Sequence, residues 1–162
     1  MNYLDRYGKS VGPVYLYTEV SNGLSDYRSR IYSSYQSDEA DKTLDLLNEY
    51  FQKNPNSMTN MCLKANTLAR LGRMEEAGMI LQYSLSIAKH RYQKMRVHYA
   101  FANYLSLAGN YESAMSYLKY AIQCGFDNMD HIMEDEDLAG LRESKHFGVW
   151  KSGLSRAKAS AK

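Results

Sequence analysis

In the segment Gly72 to Leu85, GRMEEAGMILQYSL, apolar residues fall three and four positions apart, the spacing that puts them on one face of an α-helix. The segment Gly109 to Ile122, GNYESAMSYLKYAI, follows the same plan. Each opens on glycine, carries a large apolar residue two positions later (Met74, Tyr111), then an alanine (Ala77, Ala114) and a leucine (Leu81, Leu118) in register. Glycine between two such runs accepts the backbone angles of a tight interhelical turn, so each copy reads as part of a helix-turn-helix. A small residue at the closest crossing lets two helix backbones approach. A single hairpin leaves an apolar edge uncovered, and stacking the next hairpin on that edge completes the core.

These segments resemble tetratricopeptide repeats, whose unit is about 34 residues long and has small residues at fixed places. Aligned on the turn glycine, one repeat covers about 58–90, with Ala65, Ala77 and Ser84 at the small places. The next covers about 95–127, with Ala102, Ala114 and Ala121. A more divergent copy covers about 24–56: Thr43 lies in register with Ala77, and Asn54-Pro55-Asn56 resembles the family's repeat-ending Asp-Pro-Asn. There Ile31 and Tyr50 replace small residues, and Asp38 replaces the turn glycine. From Ala77 to Ala114 the spacing is 37 residues, and the excess predicts an extended second helix or a longer loop near KHRYQK, 89–94. Residues 125–150 resemble the closing segment that follows many bacterial repeats of this type, Asp-Pro-Asp-Leu-x-x-Leu-Arg-x-x-x-x-Phe. Leu138, Leu141, Arg142 and Phe147 fit that pattern, and its proline is missing. The resemblance implies an all-α protein: a right-handed superhelical stack of about three hairpins over 24–150, with a C-terminal capping helical segment at 128–150.

Outside the repeats, residues 1–23 carry a run of β-formers, Val14 to Val20, and read as an arm or an extra packing segment. The last twelve residues, KSGLSRAKASAK, hold four positive charges and no acid, and read as a basic, flexible tail. Lys plus Arg number 20 against 18 for Asp plus Glu, so the formal charge of +2 is well short of a general polyanion binder. No stretch approaches the roughly 20 apolar residues of a membrane span. The first ten residues lack a signal-peptide core, and no Asn-x-Ser/Thr acceptor occurs, so a reducing, cytoplasmic location is expected.

The phosphate-loop, dinucleotide and zinc-protease signatures GxxxxGK[ST], GxGxxG and HExxH do not occur. Cys62 and Cys124 sit in apolar helical patterns and are expected to be buried free thiols. The four histidines form no ligand-like pair, and the cluster Asp127, Asp130, His131, Glu134, Asp135, Glu136 and Asp137 lacks the spacing of a calcium loop, so it reads as a solvated acidic face. No catalytic, cofactor or metal site is expected. Of the 15 tyrosines, Tyr83, Tyr104, Tyr111 and Tyr117 are expected to pack between helices. The family lines its concave groove with the first helix of each hairpin, which here implies Arg28, Tyr32, Tyr35, Asn66, Arg70, Arg96, Tyr99 and Asn103. Arg clamps carboxylates, Asn holds a peptide backbone, and Tyr gives contact area at low entropy cost. The expected function is therefore non-catalytic binding of a protein or peptide, as an adaptor or specialised chaperone. The alternatives are a helical-solenoid nucleic-acid binder, using Lys89, Arg91, Lys94 and Arg96, and a structural subunit of a larger assembly.

Overall fold

The computed structural model describes residues 25–160 apart from residue 56, with the backbone alone at 25–28 and 158. The N-terminal arm expected at 1–23 lies outside the described residues. Among the described residues the chain is all-helical, with nine α-helices, one 3₁₀ turn and no strand. Three helix pairs come first: α1 Ser25–Gln36 with α2 Ala40–Lys53, α3 Met58–Arg70 with α4 Met74–Ile87, and α5 Arg91–Leu107 with α6 Tyr111–Gln123. Then follow α7 Met129–Glu134, the 3₁₀ turn Glu136–Leu138, α8 Ala139–Glu143 and α9 Lys145–Ser160. Within each pair the helices pack on one another; α3 also packs on α2 and α5, and α4 on α5.

The turns inside the pairs share one backbone solution. In the second pair the N–H of Gly72 donates to the Ala69 carbonyl (3.0 Å) and that of Arg73 to Leu68 (2.9 Å). The third pair repeats this with Gly109 to Ser106 (3.0 Å) and Asn110 to Leu105 (2.9 Å). This double bond around a left-handed residue is the Schellman arrangement, which satisfies carbonyls that the helix end would leave bare. Gly72 and Gly109 take φ of 77° and 76°. In the first pair Asp38 occupies the same place at φ 56°, and the bonds Asp38 to Tyr35 (3.4 Å) and Glu39 to Ser34 (3.1 Å) complete the same turn. Asp tolerates the left-handed region better than most residues with a Cβ, because its short polar side chain is compatible with it.

Small residues decide how closely the pairs approach. Ala65, Ala77, Ser84, Ala102, Ala114 and Ala121 are all fully buried, as are Thr43, Ile31 and Tyr50 at the matching places of the first pair. Each apolar cluster is finished by the next element along the chain. Leu63 of α3 joins Ile31, Leu47 and Tyr50, and Val97, Ala100 and Phe101 of α5 join Leu68, Ala77 and Leu81. The last edge, around Tyr99, Ala114 and Leu118, is covered by Ile132, Leu138, Leu141 and Phe147. Tyr111 lies across α8 so closely that a Cβ on Gly140 would sit 2.8 Å from its hydroxyl, which is why glycine stands there.

Three expectations need correction. The extra residues before the third pair lengthen its first helix: α5 has 17 residues against 13 in α3, while α4 stops at Ile87 and the linker is only 88–90. The new helix start is fixed by Gln93, whose Oε1 accepts from the N–H groups of Lys89 (2.9 Å) and His90 (3.1 Å). Residues 151–160, read from the sequence as a tail, continue α9 as helix. Tyr83, expected to pack, is 55% exposed, whereas Tyr104, Tyr111 and Tyr117 are half-buried.

Asp38→Gly is expected to raise stability by about 0.5 kcal/mol, the released left-handed strain being partly offset by loss of an exposed charge contact to Arg70. Gly109→Ala should lower it by about 1 kcal/mol. Both are read as shifts of the urea midpoint at unchanged slope.

Candidate functional site

The side chains implied for a groove come from α1, α3 and α5, the first helix of each pair. Tyr35, Asn66, Arg96, Tyr99 and Asn103 are buried, Tyr32 and Arg70 are half-buried, and the side chain of Arg28 lies outside the described residues. Tyr35, Arg70, Tyr99 and Asn103 converge on one object, the turn Asp135-Glu136-Asp137 from the C-terminal segment of the same chain.

Asp137 is held from three helices. Its Oδ1 accepts from Arg70 Nε of α3 at 2.8 Å, and its Oδ2 accepts from Tyr35 Oη of α1 at 3.1 Å and Asn103 Nδ2 of α5 at 3.4 Å. Asp135 Oδ2 accepts from Tyr99 Oη at 2.9 Å and from Asn103 Nδ2 at 3.1 Å, while its Oδ1 caps the 3₁₀ turn by accepting from the Asp137 N–H at 3.1 Å. His131 Nε2 stands 3.4 Å from the same Oδ2, one helical turn back. Both carboxylates are almost fully removed from water, at 1% and 4% side-chain exposure, so each donor is needed to offset the lost hydration. Glu136 between them points the other way and is exposed.

The donors are themselves positioned. The Arg70 guanidinium lies 4.1 Å from the centroid of the Tyr35 ring, and its NH1 reaches the Tyr35 carbonyl at 3.4 Å. The Tyr99 ring stacks on Phe126 at 4.5 Å, a contact worth roughly 0.5–1.5 kcal/mol beyond its buried area. Arg142 donates to the carbonyls of Ile132 (3.0 Å) and Asp135, locking the end of α7, and Ser106 Oγ accepts from the Leu141 N–H at 3.3 Å. Arg96 is packed against Tyr92, its NH1 donating to the hydroxyl at 3.0 Å. Asn66 Oδ1 and Asn103 Oδ1 are buried acceptors with no hydrogen-bond partner among the described residues.

The acidic cluster thus divides. Asp127, Asp130, Glu134 and Glu136 are exposed as expected, but Asp135 and Asp137 are buried against side chains of α1, α3 and α5. Two signals pointed there: Leu138, which follows Asp137 and must be buried, and the excess of Arg, Asn and Tyr on the facing helices, with no acid in α3 or α5. Beside the turn a cavity of about 300 Å³ stays open, lined by Tyr35, Gln36, Asp38, Arg70, His131 and Glu136 among others. Among the described residues no three His, Cys, Asp or Glu side chains group closely enough to hold a metal ion. None of their helices is long and apolar enough to cross a membrane.

Cys62 is buried between α3 and α5, and burial pushes its thiol up to about 12 against a weaker lowering effect of Arg96; Cys124 is half-buried. No family model, no curated protein and no solved structure matches this chain.

Two outcomes follow from this geometry. Arg70→Met leaves the Asp137 carboxylate buried without its cation and is expected to cost about 3 kcal/mol, with Asp137→Asn recovering part of that loss in the double variant. Denaturant melts of the four members of the cycle measure it. In the native protein iodoacetamide at about pH 8 should label Cys124 and spare Cys62, which reacts only after unfolding; peptide mass spectrometry distinguishes the two.

Proposed function

We propose that the chain is a tetratricopeptide-type stack of three helix hairpins, and that it is a non-catalytic module binding a protein or peptide partner through its concave side. The observation that carries this reading is the grip on Asp135-Glu136-Asp137. One side chain from α1, one from α3 and two from α5 line up to hold an extended acidic turn, with tyrosine and amide donors around a single arginine. The same geometry serves a chain from outside, for which Arg supplies a planar fork and Tyr a rigid contact surface. Because the deep part of the face is filled in cis, the partner meets the open cavity beside it, where Gln36, Asp38 and Glu136 are exposed and Arg70 and His131 are partly so. Adaptor or specialised-chaperone roles fit such a surface. The nucleic-acid reading is weaker, since the exposed acids Asp130, Glu134 and Glu136 interrupt a basic path along this side.

Affinity capture from the native cell extract, with wild type beside a Gln36→Ala, Glu136→Arg variant of equal melting temperature, tests the reading. A protein recovered by the wild type and depleted at least tenfold by the variant is the expected result. Recovery of the same proteins by both would place binding elsewhere on the surface and overturn the groove assignment.

A further inference from the structure

α7 shows solvent an unusual face. Ile132 is fully buried beneath it, while Met129 and Met133, one turn apart, are 37% and 41% exposed. Asp130 and Glu134 form a second exposed row beside them, and Glu136 continues it. Methionine is a soft, adaptable contact residue, and an acid row beside it selects a positive partner.

α9 presents the opposite chemistry. It has no acidic residue over Lys145–Ser160 and carries Lys145, Lys151 and Arg156, all exposed. Phe147 is buried and Trp150 half-buried where α9 packs on α6 and α8; from Lys151 onward every described side chain is exposed. The stripe Phe147, Trp150, Leu154, Ala157, at intervals of three and four, therefore runs on past the body formed by the described residues, none of which covers it beyond Trp150. Those ten residues are about 15 Å of helix. Short helices are marginal in water without a packed face, and this one includes Gly153.

We propose that the chain self-associates, the projecting part of α9 of one copy seating on the methionine and acid face of α7 of another. Each half supplies what the other needs: an apolar row flanked by one sign of charge, on a surface that the described residues of its own chain leave open. A second copy is the partner that carries both halves without further assumption, and the pairing closes as a dimer when it is reciprocal.

Sedimentation of the full chain from about 1 to about 200 µM tests this, a range suited to an interface below standard size. Mass above the monomer that grows with concentration and weakens in about 0.5 M salt is expected. Lys151→Glu with Arg156→Glu should raise the midpoint concentration at least tenfold, and so should Asp130→Lys with Glu134→Lys in a separate chain. Mixing these two chains should restore association, since each then offers a helix of the sign that the other's face accepts. Circular dichroism melts check that both fold as the wild type does. A monomer at every concentration, or association that neither charge reversal alters, would sink the proposal. Binding of α9 to phosphatidylserine vesicles by a chain that stays monomeric would also overturn it, by assigning the helix to a lipid surface.

Discussion

Two carboxylates taken out of water must be met by donors, and in this chain the donors for Asp135 and Asp137 come from helices that the sequence separates widely. The hydroxyl of Tyr35 reaches Asp137 across 102 residues, and Arg70 reaches it across 67. Breaking any one of these bonds exposes part of a desolvation cost of several kcal/mol per ion, so the turn and the inner faces of α1, α3 and α5 hold their arrangement together. The remaining packing is local by comparison, each helix pair resting on its neighbour through small residues and shared apolar clusters.

Much of that local part was legible in the sequence. Gly72 and Gly109 mark turns that only a left-handed residue can make, and the six small residues fall where helices cross closest, because both are demands of the backbone rather than of distant neighbours. The first pair makes the same turn without glycine, because Asp38 tolerates the same angles. Helix lengths were harder. Spacing alone reports that residues are added before the third pair, not which element takes them, and the bond from Gln93 back to Lys89 and His90 decided for α5.

The inner face illustrates a different gap. Tyr35, Arg70, Tyr99 and Asn103, four of the eight residues that the resemblance implied for a groove, meet at the turn 135–137. What occupies the surface was not legible, since acids near a helix start and acids buried against arginine look alike in a one-dimensional pattern; only the fold brings the turn onto α1, α3 and α5. The continuation of α9 past Trp150 was obscured similarly, because serine, glycine and lysine read as tail when no neighbouring face is known.

A stack of similar helix pairs can in principle be lengthened or shortened one unit at a time, since each unit touches only the next. The bond from Tyr35 to Asp137 removes that freedom. An added pair would carry α1 away from the C-terminal turn, and a deleted one would leave Asp137 without Arg70 or without Tyr35. The buried turn therefore fixes how many helix pairs stand between α1 and the C-terminal segment, and the gain or loss of one pair would be felt as an unpaired buried charge rather than as a neutral change in size.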